Sequence, residues 1–237
     1  MIFGIRMIVL IGVLGFAQGA FAQTVLQSVV VQVNPGQLDT YMDRIEKLQG
    51  DLTRVGGGGE MRVWQATLAG PNTGNLLVGI GYPSLEAYAK TTAKMAADEE
   101  WQKHMEGLDD IRTLVSSSLI ASRDGKGIPQ AAGEGSVLQA VAVQVKPGKL
   151  DKYVAKVKSL EEIQARLGSS SSTRVWQAPL AGDGTGTVFV GIQHASLAAY
   201  AENSAKVRDD AEAGKLFDSL DDIRTLVSSS LYRYVGP

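Results

Sequence analysis

"RVWQATLAG" (Arg62–Gly70) and "RVWQAPLAG" (Arg174–Gly182) are nearly the same stretch written twice. Each is short, carries residues that suit a pleated surface and stops at Ala-Gly, so each predicts a strand. The offset of 112 positions, the difference between 62 and 174, also carries Pro35 onto Pro147, Tyr41 onto Tyr153, Tyr88 onto Tyr200 and Leu108 onto Leu220. No insertion or deletion intervenes, and roughly half of the positions in Leu26–Leu119 recur in Leu138–Leu231. The chain is therefore one unit duplicated, each copy the size of a small domain, and not a solenoid of short repeats.

One unit can be read and checked against its copy. "LQSVVVQV" (Leu26–Val33), dense in Val, predicts a strand, as does "LQAVAVQV" in the second copy. Pro35 and Gly36 make a turn, and Leu38, Met42, Ile45 and Leu48 then recur at helical spacing, matched by Leu150, Val154, Val157 and Leu160. Met61–Leu68 is the second strand and Leu76–Tyr82 the third, with a turn through "AGPNTG" between them. A second helical region follows from Pro83, readable as one helix or as a broken one, and Thr113–Ile120 is a fourth strand. The order strand, helix, strand, strand, helix, strand is the split βαβ of the ferredoxin-like plan, an antiparallel sheet with helices on one face. The uncovered faces of two such sheets must meet, because a small domain does not leave a large apolar face in water.

The remaining segments are read by composition. The start carries Arg6, an apolar run Met7–Phe16, and Ala20-Phe21-Ala22, the pattern of a signal peptide cut after Ala22. Residues 1–22 are thus assigned as a signal peptide, 24–120 as the first repeat, 121–136 (Gly, Pro and small polar residues) as a linker, and 137–233 as the second repeat. The expected location is periplasmic or secreted. With 23 basic against 25 acidic residues, no overall field draws nucleic acid or an anionic membrane. With no cysteine, disulfides and thiolate chemistry are excluded.

The fold expected is α+β: two tandem ferredoxin-like βαββαβ units whose antiparallel sheets pair into a pseudo-dimeric α+β barrel. On this order of elements, and on "YPSLEAYA" and "HASLAAYA" after the third strands, the chain resembles the dimeric α+β barrel superfamily, with both halves fused. That resemblance implies relatives such as antibiotic-biosynthesis-type monooxygenases, muconolactone isomerases, stress-responsive barrels and haem-binding barrels. It selects no single chemistry.

Alternation puts Arg62, Trp64, Ala66 and Leu68 on one side of the doubled strand and Val63, Gln65 and Thr67 on the other. Val29, Val31 and Val33 form the row suited to helices, leaving Ser28, Val30 and Gln32 for the barrel interior, with Ser116 and Ser118 continuing a polar lining. The copy offers Ala140, Ala142, Gln144, Ser228 and Ser230. Such a lining makes either a pocket or a seal of mutually bonded polar groups. Arg62 and Arg174 stack on Trp or pair with a carboxylate, or else bind an anion. The ligand-binding candidates are Arg62, Trp64, Gln65, Arg174, Trp176, Gln177, Gln32, Gln144, Tyr41 and Tyr153.

"LDDIRTLVSSSL" occurs unchanged at Leu108–Leu119 and Leu220–Leu231. Its Asp109, Asp110 and Arg112 read as a turn cap and surface ion pair, or as an acid-base pair. Its three serines lack the Gly-x-Ser-x-Gly elbow of a hydrolase. His104 aligns with Leu216 and His194 with Tyr82, so no symmetric metal or haem site is encoded. The glycines Gly56–Gly59 follow a helix and precede a strand, the reverse of a phosphate loop. No cofactor and no metal are implied by the residues. The expected function is an exported barrel that binds a small apolar or aromatic molecule or acts as an interaction module, possible homo-oligomers included. The alternative is a cofactor-independent monooxygenase or isomerase, with Tyr41, Arg62, Trp64, Gln65 and their copies as its working residues.

Overall fold

A computed structural model describes residues 23–57, 59–127 and 133–237. The signal peptide expected over 1–22 lies outside the described residues, as do Gly58 and residues 128–132 of the connecting segment. The first copy contains β1 (Val25–Val33), α1 (Leu38–Arg54), β2 (Met61–Leu68), β3 (Leu76–Tyr82), α2 (Leu85–Ala97), α3 (Glu99–Met105) and β4 (Arg112–Ser122). The second contains β5 (Val137–Val145), α4 (Leu150–Arg166), β6 (Ser172–Leu180), β7 (Val188–His194), α5 (Leu197–Asp209), α6 (Ala211–Asp218) and β8 (Arg224–Gly236).

The strands close into one barrel in the order β1-β3-β2-β8-β5-β7-β6-β4, with every neighbouring pair antiparallel. Each copy supplies four consecutive strands, so the second is related to the first by a half-turn about the barrel axis. The two sheets face each other across a lumen, as the duplication implies, and their edges are also stitched together. Trp64 pairs with Tyr234 across β2–β8, and Ser122 with Trp176 across β4–β6. These seams explain why β4 and β8 run beyond the strands expected from sequence: their last residues bond to the other half.

Helices cover the outside. The inner face of α1 is Tyr41, Ile45, Leu48 and Leu52, all buried against Val31, Val63, Leu76, Val78 and Ile80 of the sheet. Burying each such side chain contributes about 1.5–3 kcal/mol. The helical stripe is rotated from the one read in the sequence, for Tyr41 enters the core and Leu38 is left exposed. The second core repeats the pattern with Tyr153, Val157, Val175, Val188 and Ile192.

The second helical region does break, at Asp98. Its carboxylate caps α3 by accepting from the Trp101 backbone N–H at 2.8 Å, and it takes two bonds from the Arg54 guanidinium at 2.6 and 2.7 Å. The Arg54 bonds, aided by the cap, hold the Asp98 carboxyl below the usual carboxylate range. Asp210 and Arg166 repeat the device in the second copy. No helix among the described residues is long and apolar enough to cross a membrane.

Candidate functional site

The lumen holds a cavity of about 290 Å³, and the ladder registers explain why it is open. Its inward residues form three tiers. In the middle tier of the first half, Ser118, Ser28, Gly79 and Arg62 stand side by side across β4, β1, β3 and β2. The second half presents Ser230, Ala140, Gly191 and Arg174. Three small residues in a row leave volume that larger side chains would fill in a packed barrel. Gly79 is kept empty by choice of residue and not by strain, since a Cβ there would meet Leu26 at an ordinary 3.5 Å.

Above this row stand Ser116, Val30, Leu77 and Trp64, facing Ser228, Ala142, Phe189 and Trp176 of the other half. Both indoles are buried, with 6% and 5% of their surface exposed. Trp64 is steadied by an edge-to-face contact with Tyr234, the ring centroids 5.2 Å apart. Below the middle row, Ile120, Leu26 and Gly81 oppose Tyr232, Leu138, Gln193 and Ser172, and Glu60 reaches the cavity from just before β2. Burial raises the Tyr232 phenol, opposed by a hydrogen bond with Ser230, so at neutral pH it stays protonated and can donate.

Four candidates meet in this cavity: Arg62, Trp64, Arg174 and Trp176. The other six lie elsewhere. Gln65 and Gln177 fall on the outer, helix-covered face by strand alternation, and Gln65 Oε1 accepts from Arg233 at 3.1 Å. Gln32 and Gln144 sit exposed beyond the last tier, where Gln144 donates to the Thr187 hydroxyl at 2.8 Å. Tyr41 and Tyr153 are in the two helix-to-sheet cores, and burial raises both phenols. Ser172, Gln193 and Tyr232 line the cavity but were not singled out from sequence. Extending the Ser228, Ser230 alternation by one step would have reached Tyr232.

The histidines stand apart from the lumen. His104 Nδ1 is 2.6 Å from the buried Asp51 carboxylate, between α3 and α1. His194 is 3% exposed and packs edge-to-face on Tyr200, as Tyr82 does on Tyr88. Among the described residues, no group of three or more His, Cys, Asp or Glu side chains is placed to hold a metal ion.

No protein-family model and no curated protein matches the sequence. Solved structures do match in shape. A proposed monooxygenase of Fusobacterium nucleatum subsp. nucleatum superposes with a TM-score of 0.62 at 11% identity, covering 91% of this chain and 93% of the other. An anthrone oxidase-like protein matches at 0.54 and 17%, covering 90% and 92%. A heme-binding protein of Thermus thermophilus matches at 0.50 and 11%, covering 90% and 91%. At these identities the likeness establishes the fold alone: the chain folds as an α+β barrel of two ferredoxin-like halves, both in one polypeptide.

A haem does not fit the donors of this lumen. Among the described residues its wall carries no imidazole, thiolate or thioether, and its one phenol, Tyr232, is held protonated by burial. His104 is committed to Asp51, and His194 is enclosed beneath Tyr200.

Proposed function

We propose that this is an exported protein whose barrel lumen binds one small apolar or aromatic molecule. Export is supported by the apolar run Met7–Phe16 and the Ala20-Phe21-Ala22 pattern. The observation that carries binding is the middle tier: two rows of small residues hold open a cavity of about 290 Å³ between the Trp64 and Trp176 indoles. That volume is close to the lower end, about 300 Å³, of ordinary small-molecule pockets. Aromatic walls favour flat apolar ligands, and the serines, Tyr232 and arginines provide a few oriented polar contacts.

Tryptophan fluorescence tests this directly, because Trp101 lies outside the lumen and serves as an internal reference. Naphthalene should change the emission saturably at one molecule per chain. The response should disappear in Trp64→Phe/Trp176→Phe, where only Trp101 reports. An unchanged response in that variant would place the binding elsewhere.

A second reading, a cofactor-independent monooxygenase or isomerase, is favoured by the likeness to a proposed monooxygenase and an anthrone oxidase-like protein. In that case Arg62, Arg174 and the indoles would position the substrate. Oxygen uptake on adding anthrone, lost in Arg62→Gln/Arg174→Gln, would separate catalysis from binding alone.

A further inference from the structure

The two halves of the cavity floor differ in charge. In the first half Arg62 is neutralised by Glu60, Nη2 to Oε2 at 2.8 Å. At the equivalent places the second half has Arg174 and Ser172, and Gln193 replaces Gly81. Among the described residues no carboxylate lies within ion-pair distance of Arg174. Its Nε donates to the Gly127 carbonyl at 3.3 Å and its Nη1 to the Thr173 carbonyl at 2.9 Å, while Nη2 has no partner among them.

The surrounding donors are grouped. Ser172 and Arg174 are two apart on β6 and so face the same way, and Gln193 on β7 is the ladder partner of Ser172. All three line the cavity. A guanidinium beside apolar walls gains more from an anion than it would in water, because the local dielectric is low. Arg also matches a carboxylate in shape, through two parallel N–H bonds.

We propose that Ser172, Arg174 and Gln193 form an anion subsite, so that the ligand is a small apolar or aromatic carboxylate with its charge on the second half and its body against Trp176 and Phe189. This rests on the lumen being a binding site. The Glu60–Arg62 pair makes the first half neutral and fixes which way the ligand enters.

The test is calorimetric titration of the purified protein with trans-cinnamate and its neutral analogue trans-cinnamamide. Cinnamate should bind at least about tenfold more tightly, the equivalent of one charge-assisted hydrogen bond. Arg174→Gln, and separately Ser172→Glu, which copies the ion pair of the first half, should each bring the ratio of cinnamate to cinnamamide affinity down to about one. If both compounds bind equally and neither substitution matters, the anion subsite is wrong while the lumen remains a binding site. If neither compound binds to the wild-type protein, both readings fall.

Discussion

The two halves of this barrel share a backbone plan and differ where a few side chains meet. Their middle tiers are near copies, and the segment leading into β4 and β8 is identical over twelve residues, Leu108–Leu119 and Leu220–Leu231. Between α1 and α3 of the first half, Asp51 and His104 form a polar contact at 2.6 Å, and Arg54 adds a bond to Asp51 at 3.1 Å. In the second half the same places hold Ile163 and Leu216, both buried. The same helix packing is thus achieved once with an ionisable pair and once with hydrocarbon. The difference shows which positions the architecture constrains by shape alone.

That comparison can be broken by exchange. Asp51→Ile alone removes the acceptor of both His104 and Arg54 and should cost about 1–3 kcal/mol in urea unfolding. Asp51→Ile/His104→Leu gives the first half the residues of the second and should restore the original stability or exceed it, since apolar replacements of buried polar pairs are often neutral or better. A double variant as weak as the single one would mean that the first half needs this pair for its packing.

A smaller effect sharpens the contrast between His194 and its counterpart Tyr82. Burial holds the His194 imidazole below its ordinary 6.5, whereas the Tyr82 phenol is pushed up to about 12 by burial. As pH falls, the unfolded chain takes the His194 proton before the folded one does. Stability from this site is therefore complete above about pH 6.5 and is lost as pH falls through the folded value. His194→Tyr should flatten that acid limb in thermal unfolding measured from pH 8 to pH 4. An identical pH dependence in the variant would assign the limb to other groups.

Much of this was legible in the residues. The constant offset revealed the duplication, Val-rich and Ser-containing rows sorted the faces of β1, and the turns placed the strands. Arg62, Trp64 and their copies drew notice because the repeat keeps a charged and an aromatic residue in an otherwise apolar strand, and their side of the strand lines the lumen. Gln65 and Gln177 were drawn in by chemistry alone, although the same alternation turns them outward. Tyr41 was misplaced for a physical reason: its ring is long enough to carry the helical stripe into the core, leaving Leu38 in solvent. The seams β2–β8 and β4–β6 were not legible, because backbone edge pairing between distant segments leaves no residue pattern. Nor were Ser172 and Gln193, which look ordinary until set beside Glu60 and Gly81.

We propose that the two halves of one chain enclose a single small-molecule site. A native mass spectrum of the protein purified from its own host tests it most directly. One added small-molecule mass per chain is expected, absent when Gly79→Leu/Gly191→Leu fills the middle tier of a still-folded barrel. A bare chain mass from the wild-type protein, or an adduct that survives the filled lumen, would contradict it.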